Sequence, residues 1–297
     1  MNVDVTGAYI YFIIPIFGGI PVTQTALSVL LVTVLLMVGG ILLGKRVQKR
    51  PGTMQVLVEK GIGMLEGIVK DTMGEHNVGW TPYIATIFMS SICGSYIGLT
   101  GFLRSSTADL SVPLTWALMT TGIIWYQSIK RNGVLGWLKG FTEPVVVMTP
   151  MNLVSEIAQP ISMAFRHFGN VAGGGVITSI VYTAFGLLSS VVIGLVSGSV
   201  AAPILVLAVG VALVLWGMKK GKLGRKILGI VCVVVGVLGL LQHFGILSNV
   251  PIFQFGIPAV LSVYFDLFSG FVQAFVFSML SMAYIGAACP PPEEAKA

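Results

Sequence analysis

The sequence predicts an all-α integral membrane fold: about seven transmembrane helices plus one amphipathic surface helix, in a single membrane domain over residues 1–297. Three observations carry that prediction. The 297 residues are 55% hydrophobic and only 9% charged, against about 25% charged for an ordinary soluble domain. The mean hydropathy is +0.93, and the longest apolar runs reach the roughly 20 residues that a bilayer core about 30 Å thick demands. The lysines and arginines behind the net charge of +6 sit in short clusters between those runs. That is a topology pattern rather than a binding patch, so no nucleic-acid partner is expected.

Taken in order, the apolar runs place spans at 23–44, 82–103, 109–129, 150–188, 202–218, 226–246 and 251–288. The first begins only after Pro21, with neither a basic segment nor a small-residue cleavage site before it, so no cleaved signal peptide is expected. Between the first two spans, Met54, Val58, Ile62, Leu65 and Val69 repeat at helical spacing, while Glu59, Lys60, Glu66, Lys70 and Asp71 fall mostly elsewhere. A helix over 53–73 with that pattern lies along the membrane surface. Asp109 is placed to cap the helix that follows it. Counted by the positive-inside rule, Lys45, Arg46, Lys49 and Arg50, then Lys130, Arg131 and Lys139, then Lys219, Lys220, Lys222, Arg225 and Lys226 all fall on one side. The N-terminus is then outside and the C-terminus cytoplasmic. The runs 150–188 and 251–288 are overlong, each reaching about 57 Å as a helix. They must tilt, kink or run past the membrane, with Pro160 and the glycines at 173–175 as places to bend.

No nucleotide-binding or hydrolytic motif occurs, so no catalytic group and no cofactor is expected. Cys93, Cys232 and Cys289 follow no metal-ligand spacing and read as small hydrophobes. The chemistry therefore lies in polar residues within the spans. On a helix over 150–188, Asn152, Ser155, Gln159, Ser162, Arg166 and Asn170 share one face, a stripe that lipid will not solvate. Serines and asparagines alone fit helix-to-helix hydrogen bonding as well as a polar pathway. Arg166 changes the balance, because a mid-membrane arginine costs about 2.5–3.5 kcal/mol and such residues line pathways or pair with an acid. A structural ion pair is the alternative.

Asp266 and Gln273 are seven residues apart in the last run. On a straight α-helix they share nearly one face, about 10 Å apart along the axis. Asp266 is either an intramembrane ion relay or an interfacial aspartate at a helix start. Glu156 is either the mouth of a water path or a solvated helix entrance. His167 points about 100° away from Arg166, which suits packing or hydrogen bonding better than proton relay.

These residues resemble subunit a of the F-type ATP synthase, the membrane stator that faces a rotating ring of c subunits. The resemblance rests on "PISMAFRHFGN" around Arg166 and "FVQAFVFSMLSMAYIGAA" around Gln273. Weaker echoes are "STADLSVPLTWALMT" and "GWLKGFTEPVVVMTPMNLVSEIAQP". It implies that the two overlong helices face the rotor ring and that Arg166 acts on the ion-binding carboxylate of each passing c subunit. It also implies two offset half-channels, with Gln273 and Asn170 beside the arginine and Asp266 serving the outer half-channel. Asn152, Ser155, Glu156, Gln159, Ser162 and His167 are the further candidates for half-channel lining.

The implied setting is a bacterial plasma membrane, with b-type stator subunits, the rest of the synthase and the lipid bilayer as partners. The chain itself would conduct protons or sodium ions without catalysing a reaction. Three departures stand out: Gly175 where many members carry glutamate, Asp266 where histidine or glutamate is common, and His167 where leucine is usual. The stretch 202–246 reads as an inserted helical hairpin. The rival reading is a secondary transporter or channel that binds an anionic substrate at Arg166; no internal repeat supports it.

Overall fold

The computed structural model describes residues 9–15, 19–45, 47–49, 51–100, 102–143, 145–219, 221, 223–245 and 252–291. Arg46, Arg50, Lys220 and Lys222 of the basic clusters lie outside these, as do positions 246 and 251 at the ends of two expected spans.

The described chain opens on a short antiparallel ribbon, β1 (Ile10–Ile14) and β2 (Ile20–Thr23), before any helix. Its β-branched isoleucines and valine favour extended backbone, and the run is too short to nucleate a helix against that preference. The described elements after it are all helical: α1 (Gln24–Lys45), α2 (Thr53–Met73), α3 (Thr81–Tyr96), α4 (Ser111–Gly140), α5 (Thr149–Ser197), α6 (Ala201–Lys219) and α7 (Leu223–His243). A short α8 (Ile257–Ser262) passes through a π-helical stretch, Val263–Ser269, into α9 (Gly270–Ala288). The amphipathic helix thus forms over the expected residues. Asp109 accepts from the backbone N and Oγ of Ser111, fixing the first residue of α4.

Among the described residues, six helical stretches are long and apolar enough to cross a membrane: Gln24–Lys45, Glu75–Thr100, Val146–Val196, Ala201–Lys219, Leu223–His243 and Pro258–Ala288. The expected span at 109–129 is helical within α4 but is not among them, because Thr115, Thr120, Thr121, Tyr126, Gln127 and Ser128 dilute its apolar content. Inside α4, Gly133 sits at φ 69° and breaks the helix just after Lys130 and Arg131, a backbone conformation that glycine alone adopts at no steric cost.

The two overlong runs behave differently. α5 continues as one helix past the expected end at 188, through Pro160 and through the glycines at 173–175. Gly174 serves a close approach: a Cβ there would lie 2.8 Å from Phe265 Cδ1. The run 251–288, by contrast, is not one α-helix, and its π-helical stretch surrounds Asp266.

The described chain divides into two compact units, with boundaries between Gly175 and Val176 and between Val263 and Tyr264. In the larger, Val69 and Met73 of α2, Ile84 of α3 and Met282 and Ile285 of α9 form one apolar core. Its end is tied by Asn77 Nδ2, which donates to Cys289 O, with His76 Nε2 at 2.8 Å from the same carbonyl. Nearby, Lys70 pairs with Glu75, whose hydrogen bond and charge raise the Lys70 ammonium above its ordinary value. A second core joins Ile87, Ala117, Met163, Ala164 and Phe277, from α3, α4, α5 and α9.

In the smaller unit, α6 and α7 pack glycine against backbone. A Cβ on Gly210 would lie 2.7 Å from Val233 N, and one on Gly229 would lie 2.7 Å from Val214 N. Small residues are what allow transmembrane helices to approach this closely.

Candidate functional site

The site is built on α5 by the ordinary helical period. Met163 and Ala164 lie in the second core, His167 follows them 4 and 3 residues on against Trp116 and Phe277, and all three are buried. Ser162, Arg166 and Asn170, four apart, fall on the other side and are exposed. One face of α5 is therefore fixed by packing, and that packing aims Arg166 outward. Among the described residues no carboxylate pairs with Arg166. Exposed Ile161 and Phe165 flank it on its own helix.

Behind the exposed face, Asn170 Nδ2 donates to Gln273 Oε1 at 2.6 Å. Gln273 is only 3% exposed, and its Nε2 is enclosed without an acceptor. This hydrogen bond links α5 and α9 one helical turn beyond Arg166.

Asp266 is half-buried. The straight-helix register assumed between Asp266 and Gln273 does not hold, because i→i+5 bonding over Val263–Ser269 widens the turn and rotates Asp266 off the line of Gln273. Tyr96 steadies this stretch from α3, its hydroxyl donating to Leu267 O at 3.0 Å. Gly270 lets α3 approach just beyond: a Cβ there would lie 3.2 Å from Ser95 Cβ. Gly175 has open space around it, with nothing within 4 Å of a would-be Cβ.

The lower half of the polar stripe separates from the upper. Asn152, Ser155 and Glu156 line a cleft of about 410 Å³ with Ser128, Asn132 and Trp137 of α4. Asn152 Nδ2 donates to Phe141 O and Glu143 O, and Trp125 Nε1 donates to Glu156 Oε1. Gln159, half-buried, lies between the two halves in sequence. The stripe therefore joins an open polar cleft at one end to an exposed cationic face at the other.

His167 belongs to neither. It is fully buried, with its ring edge-on to Trp116 at 6.0 Å and to Phe277 at 5.7 Å between centroids. Its Nε2 lies 3.3 Å from Ser91 Oγ, and its Nδ1 has no hydrogen-bond partner. That is a packing position.

Sequence reasoning missed Trp125 and Tyr96. Both are aromatics with a polar handle inside apolar runs, a residue type that reaches for a partner when half-buried. That signal singles them out, although only the fold supplies the partner.

A sequence profile of the ATP synthase A chain family matches residues 26–218, which include Arg166 and the whole polar stripe. The sodium ion specific ATP synthase subunit a of Propionigenium modestum is 28% identical over 282 residues, covering 90% of this chain and 74% of its own. The ATP synthase subunit a of Staphylococcus carnosus is 24% identical over 268 residues, covering 87% of both. That of Desulforamulus reducens is 27% identical over 240 residues, covering 80% of this chain and 68% of its own. Matched over well more than half its length by one family, and carrying its polar stripe on the longest of its apolar helices, this chain belongs to the ATP synthase A chain family.

Proposed function

We propose that this chain is the ion-translocating stator subunit of a rotary F-type ATP synthase, and that Arg166 is the residue on which translocation turns. One observation carries the reading: an arginine in an apolar helix, packed so that it faces outward, with no carboxylate partner among the described residues. A charge in that setting needs a partner from another protein. A ring of c subunits, each with one mid-membrane carboxylate, supplies it. As each carboxylate passes, the guanidinium favours its ionised form, lowers its pKa and releases the bound proton or sodium ion.

In this reading Glu156, Asn152, Ser155, Gln159 and Ser162 form the inner half-channel, with the polar cleft as its entrance. Asp266 serves the outer half-channel, and the Asn170–Gln273 pair holds α5 and α9 together behind Arg166. The cation between the half-channels keeps ions from crossing without the rotor. α4 crosses the membrane as a seventh span, its threonines turned toward protein: Thr120 and Thr121 are both buried. The N-terminus lies outside the bacterial plasma membrane and the C-terminus in the cytoplasm, and b-type subunits and the rest of the synthase are the further partners.

The test is ATP synthesis driven by an ion gradient in membrane vesicles carrying the assembled complex with Arg166→Ala. Loss of synthesis with normal assembly is expected, and retained synthesis would overturn the proposal.

A further inference from the structure

The α6–α7 hairpin carries the largest basic cluster in the sequence and plays no part in the proposed ion path. Three observations bear on what it binds. Arg225 sits over the ring of Trp216, with its guanidinium carbon 4.2 Å from the ring centroid, and its Nη1 is enclosed without a hydrogen-bond partner. A guanidinium fixed in this way has only its open edge from which its charge can be compensated. Next, no aspartate or glutamate occurs between Glu156 and Asp266, so the whole hairpin lacks an internal counter-charge. Finally, an open cleft of about 590 Å³ beside Trp216 is lined by Leu215, Met218 and Lys219, so an apolar wall ends at a cation.

Both helices are long and apolar enough to cross a membrane, and their outer faces expose Leu205, Val209, Leu215, Ile227 and Ile230. Lys219 ends α6, and Arg225 and Lys226 lie in the first turn of α7. A hairpin sunk in lipid to the length of its apolar faces therefore holds these cations at the level of the phosphates. Gly217 makes the cluster tight: a Cβ there would lie 3.0 Å from Lys226 N, so α6 and α7 nearly touch where the charges gather.

We infer that the α6–α7 turn is a binding site for an anionic phospholipid, with its phosphate held by Arg225, Lys219 and Lys226 and an acyl chain along Leu215, Trp216 and Met218. Lipid is favoured over an acidic protein surface because the cations adjoin an apolar wall rather than a polar rim. Trp216 belongs to the site, so it can report on it.

The experiment reconstitutes the full chain in vesicles containing phosphatidylcholine or phosphatidylglycerol brominated near the headgroup. Quenching of Trp216 is read as the difference between the unaltered chain and Trp216→Phe. Each cation near a charged headgroup is worth about a five-fold preference, so stronger quenching by the anionic lipid is expected. Arg225→Gln should lower that preference about five-fold, and Arg225→Lys should lower it less. Equal quenching by the two lipids, or an Arg225→Gln chain that keeps its preference while folded by circular dichroism, would overturn the site. Loss of the preference in millimolar inorganic phosphate would overturn the lipid in favour of the free anion. Its disappearance in the assembled complex would identify an acidic subunit surface as the occupant instead.

Discussion

Asn170 and Gln273 form a direct side-chain bond between α5 and α9, one helical turn beyond Arg166, with Gln273 buried and Asn170 on the exposed face. Because the bond is made at the edge of the arginine face, it ties α5 to α9 beside Arg166. Asn170→Leu leaves the Gln273 carboxamide buried and unmet, at a cost of about 1–3 kcal/mol. Asn170→Leu with Gln273→Leu should be less destabilised than the sum of the two single variants, as measured by unfolding of the purified chain in detergent. Strict additivity would mean that the bond contributes nothing to stability.

His167 is expected to be replaceable. Leucine nearly fills the space between Trp116 and Phe277, and it removes an enclosed Nδ1 that has no partner. His167→Leu should therefore leave ion-driven ATP synthesis within about two-fold and match or exceed the parent's thermal stability, since an unmet buried polar atom costs about 1–3 kcal/mol. A collapse of synthesis with stability preserved would make this histidine a participant in ion transfer.

The adjacent glycines provide an internal control. Gly174→Ala would push a methyl to 2.8 Å from Phe265, whereas Gly175→Ala meets nothing within 4 Å. The first should destabilise by about 1–3 kcal/mol through overpacking. The second should stabilise slightly, because alanine is the better helix former by about 1 kcal/mol. Pairing Gly174→Ala with Phe265→Leu should recover part of the loss.

Trp125 and Glu156 are expected to act as a unit at the polar cleft. Trp125→Phe keeps the ring and removes the donor, and Glu156→Gln removes the charge. Each should slow gradient-driven ATP synthesis, and the double variant should be no slower than the worse single one, the signature of coupled residues. Multiplying defects would separate them.

Hydropathy and charge clustering made the helices legible, because a bilayer permits almost nothing else at that depth. α2 was legible to its ends: Gly52 precedes it, Gly74 follows it, and its period never falters. The polar stripe could also be read from spacing alone. Two features were not legible for a shared reason. The π-helical stretch VYFDLFS contains no glycine or proline to announce a change of winding, and the division of the stripe into cleft and open face depends on what α4 covers. Both are set by packing across helices, which a one-dimensional period does not contain. The extension of α5 to Ser197 was hidden differently: Ser189, Ser190 and Gly194 interrupt the apolar run after 188, yet the helix continues through all three.

Arg166 also bears on how the free chain survives before its complex forms. Under the proposed function, the arginine's insertion penalty of about 2.5–3.5 kcal/mol in lipid would be relieved by pairing with a rotor carboxylate. By mass action the fraction of correctly inserted chain then depends on the supply of that partner. A cell making this chain in excess would hold the surplus in its least stable form, open to membrane proteases. The residue that carries the proposed mechanism is therefore also a timer on the unassembled subunit.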